Sequence, residues 1–243
     1  MVVLDGASAF VPVEVDPATY AQTLGAHIAA RLDDDPAARL PGIVAASIRH
    51  TAAELDLTPG RSPSSTVSIL RARTSTADLY VLGDSPIHYG TASTAHVLTD
   101  ERLAGIAPTE SQHYTARLRA GHGYDDGHRA ALATLQRAQG TARNQPGGYW
   151  TAEAEPKAAF QGITCTLGPD AITWAVLATD GAADAVDHNG QNWSTIAHYD
   201  SDQLAQLLHR LHNWEADSDP DGRKLPRAKR HDDKTLAAVP SVW

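Results

Sequence analysis

Three acidic points in this chain stand at the ends of apolar segments that are far apart in sequence. Asp5-Gly6 follows Met1-Val2-Val3-Leu4, Asp180-Gly181 follows the run Ile172 to Ala178, and Asp232-Asp233 precedes Leu236 to Val239. If those segments are strands of one core, their ends can bring three carboxylates to a single edge. There, oxygen ligands would hold hard divalent cations. Other metal chemistries find no support. Cys165 is the only cysteine, which excludes a disulfide framework and a thiolate cluster, and it reads as a small residue in a strand. There is no HExxH spacing, the 12 histidines show no ligand spacing, and His113, His122 and His128 read as surface residues.

Positioning the carboxylates falls to the segments around them. The seven-residue run Ile172 to Ala178, bounded by Gly168-Pro169-Asp170 and Thr179-Asp180-Gly181, predicts a strand buried on both faces. Asp16-Pro17 predicts a helix start, with Asp as N-cap and Pro at the first helical position. Tyr20, Leu24, Ile28 and Leu32 then recur every fourth residue until Asp33-Asp34-Asp35-Pro36. A second helical pattern, Ile43, Val44, Ile48, Ala52 and Leu55, completes an antiparallel helical hairpin over something flat.

Thr66 to Arg73 and Leu79 to Leu82 predict a β-hairpin that ends at Gly83-Asp84-Ser85-Pro86. Ile87 to Tyr89 and His96 to Leu98 predict two shorter strands. Helix returns from Glu110 to Arg143, around a loop at 121–127, and Gly147-Gly148-Tyr149-Trp150 predicts a turn into another strand. Ile163 to Leu167 is expected to pair with Ile172 to Ala178 across Gly168-Pro169. After Gly181 the pattern is helical, clearest at Leu204, Leu207, Leu208 and Leu211, and Thr235 to Val239 closes as a strand. Helical pairs separated by runs of hairpin strands indicate α+β, with helices layered on antiparallel sheet, in one domain spanning residues 1–243.

The net charge of −9 argues against nucleic acid or an anionic membrane as partner and suits a cation site. No stretch approaches the roughly 18 apolar residues of a membrane span, and the N-terminus lacks the basic flank of a signal peptide, so a cytoplasmic location is expected. Arg outnumbers Lys 16 to 4 and Ala is very frequent, a composition resembling that of a GC-rich bacterial genome. Oligomeric state is not readable from these features.

Four ordered segments resemble motifs of the protein phosphatase 2C family: Leu4-Asp5-Gly6, Leu82-Gly83-Asp84-Ser85, Ala178-Thr179-Asp180-Gly181 and Asp232-Asp233-Lys234-Thr235. Ser64-Ser65-Thr66-Val67 is similar to the family's small-residue entry into the strand before Gly-Asp. Residues 144–150 and 219–223 are similar to a compact actinobacterial subgroup. The resemblance implies an α-β-β-α sandwich with two central antiparallel sheets, short of its first strand, and a phosphoserine/phosphothreonine phosphatase using Mn²⁺ or Mg²⁺ on a phosphorylated protein. It further implies that Asp5 bridges two metals, with the Gly6 carbonyl reaching the second through water. Asp180 and Asp232 would complete the first site, and Asp84 would serve a third, looser one. Two such cations roughly 3.5–4 Å apart would share a water, lower its pKa and clamp phosphoryl oxygens for in-line attack, so no nucleophilic side chain is required.

The chain also departs from that pattern. Relatives carry a phosphate-gripping Arg and a Glu-Asp pair on a strand upstream of Asp-Gly, whereas four residues precede Asp5 here. Either the start codon is placed too late or the chain is a short form with a weakly held second metal. The histidine that follows Asp-Gly in some relatives is replaced by Ala7-Ser8, which leaves water or His231 to protonate the leaving oxygen, and Asp233 stands where many relatives have Asn. These departures motivate an alternative, a phosphatase-like module of weak or no activity that binds a protein or phosphopeptide.

Taken singly, Asp5-Gly6, Asp84 and Asp180-Gly181 read as turn chemistry and Asp232-Asp233 as a solvated loop end. Their joint order makes them a site. Arg223 to Arg230 reads as a solvated loop balancing Asp217, Asp219 and Asp221, or as a phosphate-attracting flap near Asp232, while Trp150 and Trp174 read as core.

Overall fold

The structure, a computed structural model, describes residues 1–7 and 13–243. Ser8, which follows Ala7 where some relatives carry histidine, lies outside the described residues. In chain order the strands are β1 (Val2–Gly6), β2 (Ser65–Ala72), β3 (Ala77–Leu82), β4 (Ile87–Gly90), β5 (Ala95–Leu98), β6 (Ile163–Leu167), β7 (Trp174–Ala178) and β8 (Leu236–Val239). They form two antiparallel sheets of order β1-β2-β3-β6 and β5-β4-β7-β8.

Side-chain alternation builds the layers. On β2 and β3, Val67, Ile69, Tyr80 and Leu82 face outward, where they pack on Tyr20, Leu24 and Ile28 of α1 (Pro17–Asp34) and on Ile43, Val44 and Ile48 of α2 (Leu40–Glu54). Their neighbours Leu70, Leu79 and Val81 face inward and meet Ile87, Ala175 and Leu177 of the other sheet. Trp174 and Val176 face outward again, against α5 (Asp180–His188), α6 (Trp193–Ile196) and α7 (Ser201–Asp217). The result is the expected α-β-β-α sandwich. Each fully buried Leu or Ile in these layers contributes roughly 1.5–3 kcal/mol relative to exposure. The remaining helices, α3 (Pro108–Arg119) and α4 (Asp126–Ala142), pack on one another between β5 and β6 in sequence.

Two expectations fail. Ile163 to Leu167 does not pair with the run ending at Ala178: β6 lies beside β3, and β7 lies between β4 and β8. The Gly168-Pro169-Asp170 turn therefore carries the chain from one sheet to the other, and Cys165 and Leu167 face Ala175 and Leu177 across the inter-sheet core. No strand follows Gly147 to Trp150 either. The Gly148 amide donates back to Gln145, and single bridges, Arg143 with Tyr149 and Ala152 with Ser65, replace a ladder.

The registers determine where the acidic points fall. Asp5 pairs with Thr66 near the start of β2, and Leu82 at the end of β3 pairs with Val67, so Asp5 and Asp84 share one end of the first sheet. Ala178 at the end of β7 pairs with Leu236 at the start of β8, so Asp180 and Asp232 share one end of the second. Ile87 opposite Leu177 shows that the short link from β3 to β4 runs along that same end.

Candidate metal centre

Asp5, Asp84, Asp180 and Asp232 line one cleft of about 940 Å³ at this end of the sandwich. Period two puts Asp5 on the same face of β1 as Val3, toward the opposite sheet. Its amide donates to the Thr66 hydroxyl (3.2 Å), which in turn hydrogen-bonds the Ser85 hydroxyl (2.6 Å). Gly83, at φ +87°, lies so close that a Cβ there would meet the Thr66 side chain at 2.9 Å. The small residues 64–68 and Gly83-Asp84-Ser85 thus interlock, and the link between sheets turns tightly beside Asp5.

Asp180 opens α5, whose N-cap is Thr179. The segment before β8 is tied to that turn: the Thr179 amide donates to the Thr235 carbonyl and the Thr235 amide to the Thr179 hydroxyl, both at 3.1 Å. A Cβ at Gly181 would sit 2.7 Å from the Asp233 carbonyl oxygen and 3.0 Å from Asp232 Cβ. The glycine after Asp180 is what lets the Asp232 segment approach. Gly181→Ala is therefore expected to displace that segment and to weaken by roughly 10–100-fold the binding of any divalent cation, Mn²⁺ for example, that the carboxylates would hold. Calorimetric titration checks this, and an affinity equal to wild type would show that the close approach is immaterial.

The electrostatics are those of crowded acid. Burial, then the charge of Asp180, a hydrogen bond to Asp180 and the charges of Asp232 and Asp84 push Asp5 up to about 8. Asp84 rises to about 7, first through burial and then through Asp180. Asp180 is raised by burial and by Asp232. Burial is the largest cause at both Asp5 and Asp180, and it raises both members of this close carboxyl pair. Lys229 Nζ lies 3.3 Å from Asp232 Oδ1 and 3.5 Å from Asp233 Oδ2. Burial alone would lower this ammonium, but the two carboxylates outweigh it and hold it above its ordinary value. Among the described residues it is the one cation in ion-pair contact with the four.

Four half-buried carboxyl groups crowded together fit hard divalent cations such as Mg²⁺ and Mn²⁺ better than borderline ions, because the set contains no imidazole or thiolate. The Asp233 carboxyl turns outward to Lys229, while its carbonyl faces Gly181.

No protein-family model and no curated protein matches the sequence. Solved structures do. The catalytic domain of the serine/threonine protein phosphatase PstP, in complex with two manganese ions, aligns with 97% of this chain and 84% of its own at 15% identity and a TM-score of 0.51. The photosystem II phosphatase PBCP aligns with 88% of this chain and 68% of its own at 14% identity and a TM-score of 0.51. The serine/threonine phosphatase Stp1 from Staphylococcus aureus aligns with 87% and 77%, at 12% identity and a TM-score of 0.50. The chain has the protein phosphatase 2C fold. No described helix is long and apolar enough to cross a membrane.

On the phosphatase 2C fold, several residues in and beside this cleft escape sequence motifs. Asp184, one helical turn beyond Asp180, is raised to about 6 by burial and next by Asp180. Arg61, Arg143 and Lys229 line the cleft with positive charge. Arg227 and Asp219 contradict the solvated-loop reading: they are 8% and 2% exposed and joined at 2.8 Å. His128 contradicts its surface reading, because it is buried and hydrogen-bonds the Ala228 carbonyl at 3.1 Å, which steadies the residue before Lys229. His113 and His122 are exposed, as expected.

Proposed function

We propose that this protein is a metal-dependent phosphomonoester hydrolase for phosphoserine or phosphothreonine in a protein substrate. Asp5, Asp180, Asp232 and the Gly6 carbonyl would hold Mn²⁺ or Mg²⁺, with Asp84 at a looser third position. The observation that carries this reading is the meeting of four carboxylates from both sheets at one end of the sandwich. Divalent cations bound there would supply a water of lowered pKa and neutralise phosphoryl charge. Lys229, drawn from Asp232, and Arg61 and Arg143 on the cleft wall would attract and orient the phosphate dianion. The described lining contains no histidine, and the His231 Nδ1 faces Glu215 at 3.3 Å, so water protonates the leaving alkoxide.

The test is release of phosphate from an aryl phosphate and from a phosphoserine peptide as Mn²⁺ is titrated in and then removed by a chelator. Release that follows Mn²⁺ is expected. Mn²⁺ binding without release from either substrate would instead hand the chain to the reading of an inactive phosphopeptide-binding module.

A further inference from the structure

His212 and Glu215 stand three residues apart on α7, and His231 enters the segment that leads to Asp232. One ring nitrogen from each histidine and one Glu215 oxygen all lie within 4.8 Å of one another. The imidazoles stack with centroids 4.2 Å apart, and His231 Nδ1 is 3.3 Å from Glu215 Oε2. Glu215 itself is 1% exposed, and its other oxygen, Oε1, lies 2.7 Å from the Lys234 ammonium. The carboxylate is thus held from behind by a cation and presents Oε2 to the histidines, an arrangement in which an outer partner orients a metal ligand.

We infer that His212, Glu215 and His231 form a second metal site, selective for a borderline divalent ion of the zinc class and chemically distinct from the all-oxygen centre. Two imidazoles and one carboxylate favour Zn²⁺ over Mg²⁺, with water completing the coordination. Bound zinc replaces the hydrogen bond between His231 and Glu215. It clips α7 to the segment carrying Asp232, one peptide bond from His231. The two centres are neighbours, because Glu215 also lines a pocket of about 140 Å³ that includes Asp180 and Asp232, but they share no ligand. The site does not depend on phosphatase activity.

The experiment titrates Zn²⁺ into the whole protein in excess Mg²⁺, which occupies the carboxylate centre, and repeats the titration with Co²⁺ to read the visible absorption of a four-coordinate site. One zinc per chain is expected, with a thermal midpoint that rises on zinc addition. His212 is exposed, so His212→Ala should fold as wild type does, and it should weaken zinc binding by roughly 100-fold or more and abolish the cobalt absorption. His209→Ala, on the same helix outside the cluster, should bind as wild type does. The inference is overturned if the Mg²⁺-saturated protein takes up no zinc, if His212→Ala binds zinc as tightly as wild type, or if His209→Ala loses as much.

Discussion

Asp180→Asn is expected to abolish Mn²⁺-dependent phosphate release, by on the order of 10³-fold or more, while making the metal-free protein more stable. The first effect follows from deleting a charged oxygen where the cations act, since Lewis-acid stabilisation is worth several kcal/mol and each 1.36 kcal/mol is tenfold. The second follows from the acid crowding. Asp5, Asp84 and Asp180 all have folded-state values above the ordinary 3.8. Between that value and about 8 these three carboxyls therefore bind more protons in the folded chain than in the unfolded one, outnumbering the opposing His88, which burial lowers to about 4. Stability of the metal-free protein consequently falls as pH rises through this window and is greatest at its acidic end. Removing the Asp180 charge relieves Asp5 and Asp84 and flattens that slope. At pH 8 in chelator the thermal midpoint of Asp180→Asn should exceed wild type by roughly 5 °C, given about 2–4 °C per kcal/mol in a chain of this size. Thermal scans from pH 5 to pH 8 measure both slopes, and a wild-type midpoint that climbs with pH would contradict the repulsion argument.

Much of this arrangement is legible in the sequence because it is written in local signals. Asp16 caps α1 through the amides of Ala18 and Thr19, and the four-residue spacing from Tyr20 to Ile28 marks its buried face. The acidic points are legible for a related reason: each adjoins an apolar run, and antiparallel pairing then fixes which end of the sandwich they share. The partner of β6 is not legible. A Gly-Pro-Asp turn between two apolar runs serves a hairpin and an arch between sheets equally, and the choice rests on the inter-sheet packing of Cys165 and Leu167. Lys229 is indistinguishable in sequence from its basic neighbours, and what selects it is the fold of residues 219–232. The burial of His128 depends on Ala228, a hundred residues on. The histidines show no ligand spacing in sequence, because the cluster of His212 and Glu215 gains its third member, His231, only through the return of the chain.

Arg227→Met should cost about 3–5 kcal/mol of stability, the usual loss when one partner of a buried ion pair is removed. The guanidinium donates to the Asp219 carboxylate and to the Asp219 and Leu225 carbonyls through its Nη atoms, and to the Arg230 carbonyl through Nε. It also lies over the Tyr124 ring at 5.8 Å and 3.8 Å from Glu215. Methionine keeps much of the volume but strands Asp219 in the interior. Burial pushes the Asp219 carboxyl up, yet the amides of Lys224 and Leu225 together with Arg227 outweigh it and hold it below its ordinary 3.8. Because the folded value is depressed, this contribution is complete above that value in the wild type and is lost as pH falls through the lower folded one. With Arg227 gone, the two amides still favour the carboxylate, but less of that contribution exists at any pH. The thermal midpoint at neutral pH should therefore drop by roughly 6–20 °C. Pairing the change with Asp219→Asn should recover part of the loss, since the second substitution removes the stranded charge. Because Arg227 fixes the turn that leads to Lys229 and Asp232, the single variant should also bind Mn²⁺ more weakly at temperatures where it is folded. A variant as stable as wild type would show that the 219–230 loop is held by its packing rather than by this guanidinium.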